Sequence, residues 1–191
     1  MLNKKAFTLI EIVVSIPILL ILVITLLDFL RYNLNSQNRI KNDFMLNELA
    51  KEGIEVLTYM RDANYVKGGG TLYSADISTG DVGENKRYLL KYNDDRTWEL
   101  QSLDLSEAEG IDDCIVYQTS EKSCAIYNVN GFFKQDKTTT FNSDAVTNFY
   151  RLITVKKVDD VHFLVTSEVA YKDSFFVKNK VKLVKEVWNI K

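Results

Sequence analysis

The sequence is poor in the residues that catalysis and metal binding most often require. It has one histidine, His162, and two cysteines, Cys114 and Cys124, in 191 residues. That supply cannot build a His/Cys zinc centre. A serine–histidine–aspartate triad would have to use His162, whose surroundings read as a strand, and no G-x-S-x-G elbow occurs. Proline appears once, at Pro17, so no proline-rich linker divides the chain. An excess of one charge is also missing. With 24 basic and 26 acidic side chains there is no overall field directed at nucleic acid or anionic lipid. The glycines of "VKGGGTLYSADISTGDVGENK" lack the order of a phosphate-binding loop, and Asp76, Ser78 and Asp81 lack that of a calcium hand. No enzyme, no cofactor and no metal site are expected.

What is present is concentrated at the N-terminus. From Phe7 to Leu27 run 21 residues in which Glu11 is the only charge. As a helix they would cover roughly 30 Å, the hydrocarbon thickness of a bilayer. A cleavable secretory signal needs a shorter core of about 7–15 residues and then small residues. Here "DFLRYNLNSQ" follows instead, so the segment is expected to stay. Lys4 and Lys5 precede it and favour a cytoplasmic N-terminus, with the chain beyond about residue 30 sent outward. Glu11 is the anomaly. A charge within a span costs roughly 2.5–3.5 kcal/mol at the centre and less toward the edge. If the chain were cut between Ala6 and Phe7, Glu11 of one copy could neutralise the new α-amine of the next.

These residues carry a resemblance. "KKAFTLIEIVVSI" resembles the N-terminal signature of type IV pilins and pseudopilins: a basic leader, a small residue, a Phe, a short apolar stretch and a Glu at the fifth mature position. Ala6, Phe7 and Glu11 fall on those positions, Ala6 where Gly is usual. The resemblance implies cleavage before Phe7 by a prepilin peptidase, methylation of the new amine, and subunit docking through Glu11. Pro17 stands at the eleventh mature position, whereas many members place a proline about eleven residues later, where this chain has Asp28. A proline there should kink the span.

Past Leu27 the helical pattern continues. Leu27, Leu30 and Leu34, then Ile40 and Phe44, then Leu46, Ala50, Ile54, Leu57 and Met60 mark the expected apolar stripe, with only Gly53 interrupting it. A helix from 7 to about 62 would measure on the order of 80 Å, a length suited to the spine of a bundle. "ELAKEGIEVLTYMRDANY" is similar to a pattern in PilV-like minor pilins, matched at Ala50, Glu52, Gly53, Ile54, Glu55, Arg61, Asp62, Asn64 and Tyr65. Helix closure and contacts with the head are the expected roles of that stretch.

The remainder reads as strands. "RYLLKYNDDRTWELQSL" is a hairpin turning at Asn93-Asp94-Asp95. "CIVYQTSEKSCAIYNV" has the same form, and the spacing of Cys114 and Cys124 permits a hairpin-closing disulfide of roughly 2–3 kcal/mol, suited to an oxidising compartment. "FYRLITVKKV", "VHFLVTSEVAYK" and "KVKLVKEVWNI" form an antiparallel meander, with a bulge or an edge strand expected near Leu183-Val184. Between Arg151 and Lys191 nine basic side chains face five acidic ones, ordinary for edge protection, so nucleic acid is not an expected partner.

The expectation is an α+β, pilin-like fold: leader 1–6, transmembrane half-helix 7–27, amphipathic half-helix 28–65, and extracytoplasmic β-rich head 66–191. The function implied is structural, a minor pilin of a type IV pilus. Its partners would be other pilin subunits, the prepilin peptidase, the inner-membrane assembly platform and the membrane itself. The implied location is the inner membrane, N-terminus inside, and then an extracellular pilus or a periplasmic pseudopilus. A pseudopilin of type II secretion uses the same helix, and a membrane-anchored exported binding module or enzyme is the reading from a different class.

Overall fold

Residues 9 to 66 are built almost wholly from residues compatible with a helix, and they form one: α1, Leu9–Val66. The computed structural model describes residues 9–66, 82–93, 95–103, 110–116, 124–129, 132–136, 146–159, 161–173 and 176–188. Ala6 and Phe7 lie outside them, as do Asp76, Ser78, Asp81 and Asp94. The helical assignment passes through Pro17 without a break. Inside the apolar run, Ser15 Oγ donates to the Glu11 carbonyl at 2.5 Å and Thr25 Oγ1 to the Leu22 carbonyl at 2.9 Å. Both hydroxyls are therefore satisfied within the helix, as a hydrocarbon environment demands. The run is long and apolar enough to cross a membrane.

The chain divides into two compact units, Met1–Asn42 and Asp43–Lys191. In the second, α1 buries Leu46, Leu49, Ala50, Gly53, Val56 and Leu57, spaced as one helical face. This corrects the expected stripe. Ile40 and Phe44 remain 65% and 62% exposed, while Leu49 and Val56 are inside. The step from Phe44 to Leu46 is two residues, which no single helix face can carry, so the stripe changes phase there.

Among the described residues seven strands form the sheet: β1 Asn85–Tyr92, β2 Trp98–Leu103, β3 Ala125–Val129, β4 Phe132–Lys134, β5 Val146–Lys157, β6 His162–Asp173 and β7 Phe176–Trp188. Every pairing is antiparallel. The fold is thus α+β, a long apolar N-terminal helix followed by an antiparallel sheet. β5 organises it. One of its edges carries β6 from Phe149 to Lys157. The other carries two strands end to end, β1 against residues 153–156 and β3 against residues 146–150. Among the described residues β7 pairs only with β6 and is an edge strand, one of the two alternatives expected. Its irregularity falls between Val177 and Asn179, opposite Tyr171 and Lys172, and not at Leu183-Val184.

The β1–β2 hairpin turns at 93–97, where Arg96 adopts a positive φ of 66°. Asp95 accepts from the Thr97 hydroxyl and backbone N–H, and those bonds hold its carboxyl below the usual range. Alternation separates two cores. On the α1 face, Tyr88, Leu90, Ile153, Val155, Phe163, Val165 and Val187 meet Val56 and Leu57, while Ile126 and Val169 meet Leu46, Leu49 and Ala50. On the other face, Leu89, Leu152 and Ala170 lie with Ile111, Cys114 and Ile115 of a short helix, α2, Ile111–Val116.

Gly53 lets α1 sit close to the sheet. A Cβ there would meet Ser167 Oγ at 2.5 Å and Ile153 Cδ1 at 2.9 Å. Alanine is the better helix former by about 0.8–1.0 kcal/mol, but overpacking costs about 1–3 kcal/mol. We expect Gly53→Ala to lower the thermal midpoint of the detergent-solubilised protein. Adding Ser167→Ala should recover part of the loss, because it removes the nearest oxygen. A raised midpoint in Gly53→Ala alone would show that the contact is not tight.

Candidate functional site

Two features concentrate polar chemistry in apolar surroundings: the start of α1, and a buried arginine in the sheet. Glu11 lies in the first described turn of α1 and is exposed, among exposed Leu9, Ile10, Ile12, Val13 and Val14. It carries the only full charge between Leu9 and Leu27. None of the 18-residue apolar window is buried. Exposed aliphatic surface on this scale has to be covered by lipid or by protein.

Arg151 is on β5 between Tyr150, the last residue paired with β3, and Ile153, the first paired with β1. Its side chain is fully buried. Nε donates to Gln135 Oε1 at 3.0 Å, and Nη1 donates to Glu52 Oε2 at 3.1 Å and the Leu49 carbonyl at 3.4 Å. Gln135, itself buried, donates Nε2 to the carbonyls of Cys124 and Arg151. The Arg151 N–H also reaches the Cys124 carbonyl. One cation thus ties α1 to the point where the sheet branches. Burial pushes its guanidinium below the ordinary arginine value, and the Glu52 charge and hydrogen bond oppose that push. Nη2 has no hydrogen-bond partner among the described residues. Glu52 and Gly53 belong to the stretch "AKEGIE", and both are used for contact between helix and sheet. Arg61 and Asp62 pair with each other at 2.6 Å near the end of α1.

Cys114 and Cys124 form a disulfide, with Cα atoms 5.5 Å apart. It does not close a hairpin. Cys114 sits on α2, so the bond staples that helix to the residue preceding β3. A helix starts here because Asp113 accepts from the Gly110 N–H at 2.7 Å, a reciprocal cap, and Asp112 and Asp113 suit a helix N-terminus. Among the described residues no cluster of His, Cys, Asp and Glu suits a metal ion. His162 stacks on Trp188 across β6 and β7, with ring centroids 4.1 Å apart. Set against known proteins, the chain matches no family model, no curated protein and no solved structure.

Removing one partner of a buried ion pair costs about 3–5 kcal/mol, because the other charge is left stranded. Glu52→Ala should therefore destabilise strongly in chemical denaturation, and Arg151→Met combined with Glu52→Ala should cost much less than the two single losses added. Additive losses would mean that the two groups are not coupled. Reducing the disulfide, or replacing both cysteines by alanine, should cost about 2–3 kcal/mol, read from the shift of the denaturation midpoint.

Proposed function

We propose that this protein is a structural subunit of a type IV pilus, a minor pilin processed before Phe7 and assembled through its N-terminal helix. The observation that carries the reading is the division of α1. Its first part exposes an almost continuous aliphatic surface interrupted by one carboxylate, while residues 46–57 dock on an antiparallel sheet. An anchor alone needs the apolar length but gains nothing from Glu11. A helix that leaves the bilayer to pack against copies of itself needs both. Lys4 and Lys5 favour a cytoplasmic N-terminus and an exported head, the compartment in which a disulfide persists.

In this reading the new α-amine of Phe7 on one subunit neutralises Glu11 of a neighbour, and the aliphatic surface exchanges lipid for other helices. A pseudopilin of type II secretion would use the same helix. The size of the head and the internal position of its cysteine pair favour the minor pilin. Mass spectrometry of the mature chain is expected to find Phe7 N-terminal and methylated. Glu11→Leu should leave membrane insertion unchanged and strongly deplete the subunit from sheared filaments, measured by immunoblot against the membrane fraction. Normal incorporation of that variant would defeat the charge-pairing mechanism, and an intact Met1 terminus in peptidase-positive cells would defeat the assignment as a pilin.

A further inference from the structure

The sheet face opposite α1 carries polar side chains on which the docking of α1 does not draw. Register lines them up in rows: Asn85, Lys156, Leu164 and Glu186; Arg87, Thr154, Thr166 and Val184; Leu152, Glu168 and Lys182. All of these except Val184 and Glu186 line a trough of about 320 Å³, the size of a small-ligand pocket. Leu152 and Leu164 give it an apolar floor. Thr154 and Thr166 are register partners across β5 and β6 at its middle, and Arg87, Lys156 and Lys182 stand in its lining, Lys182 paired with Glu168. Next along β6, two residues before Leu164 and so about 7 Å away, His162 faces Trp188. The two rings lie 6° from parallel, and Trp188 remains 53% exposed. The imidazole braces the indole from one side and leaves it open to a ligand.

We propose that this face binds an acidic oligosaccharide, with Trp188 stacking on a sugar ring and the trough cations holding a sugar carboxylate. The C–H face of a pyranose suits an aromatic plane, while its hydroxyls suit Asn85, the two threonines and Glu168. A carboxylate suits Arg87 and Lys156 through charge-assisted hydrogen bonds, Lys182 being already engaged by Glu168. Nucleic acid fits less well. Glu168 pairs with Lys182 at 2.9 Å, and Glu186 stands two rows further along β7, so the basic track a phosphate backbone follows is interrupted. The pilin reading supplies only the setting, an exported head that meets extracellular polymer, and binding can be tested without any fibre.

The test uses the full chain in a detergent without a sugar headgroup, in a Trp98→Phe background, so that Trp188 is the one tryptophan reporting. Oligogalacturonate should change Trp188 emission saturably and bind more weakly as salt is raised. By calorimetry, Trp188→Ala should weaken binding at least tenfold, and Lys156→Ala several-fold. Lys156→Glu, at a half-buried surface position, provides a second variant should Trp188→Ala misfold, and it should abolish binding. Four results would each overturn the proposal: no saturable response to oligogalacturonate, unchanged affinity in Trp188→Ala or Lys156→Glu, equal affinity for a neutral maltooligosaccharide, or tighter binding of oligothymidylate.

Discussion

A fully buried guanidinium has to be answered by fixed partners, and in this head the answer determines how the parts meet. Taking a cation out of water costs several kcal/mol even after relaxation. Arg151 recovers that cost only where Glu52 and the Leu49 carbonyl approach from α1 while Gln135 approaches from beyond β4. Position and orientation of the helix are thereby specified at one point. A purely aliphatic interface would resist separation but would tolerate sliding. The residue that makes this demand stands where β5 changes neighbours, so the same group closes the seam between β1 and β3.

Around that node the chain uses apolar surface in two ways. Within the second unit, burial is tight enough that Gly53 is set against Ser167 and Ile153. Within the first unit, the aliphatic side chains are displayed. The stapled α2 covers part of the sheet face opposite α1, over Leu89, Leu152 and Ala170, and leaves beside it a trough of mixed polar and apolar lining.

Much of this was legible in the sequence. The long helix, the β1–β2 hairpin and the β5–β6–β7 meander follow from period and turn chemistry, which are local. The edge position of β7 was one of two readings of the apolar phase shift at Leu183-Val184. What was missed depends on contacts between distant residues. Cys114 was read as a strand residue because valine and isoleucine surround it, although Gly110 with Asp112 and Asp113 was an available signal for a helix start. The docking face of α1 was misphased because Ile40 and Phe44 look as apolar as Leu49 and Val56, and only the sheet selects between them. Arg151 passed as one more basic residue on a strand, its burial hinted at only by the apolar neighbours in "YRLITV". The trough could not be read at all, since register alone brings four strands' side chains together. Ala6 and Phe7 remain readings of the sequence.

The inward-turned hydroxyls of Ser15 and Thr25 have a consequence for any neighbour of the helix. A rod whose polar groups are spent on its own backbone offers no directional bonds along its flank. In the assembly proposed above, the sole full charge between Leu9 and Leu27 would then act as the detent, the feature able to lock one axial offset in preference to the next.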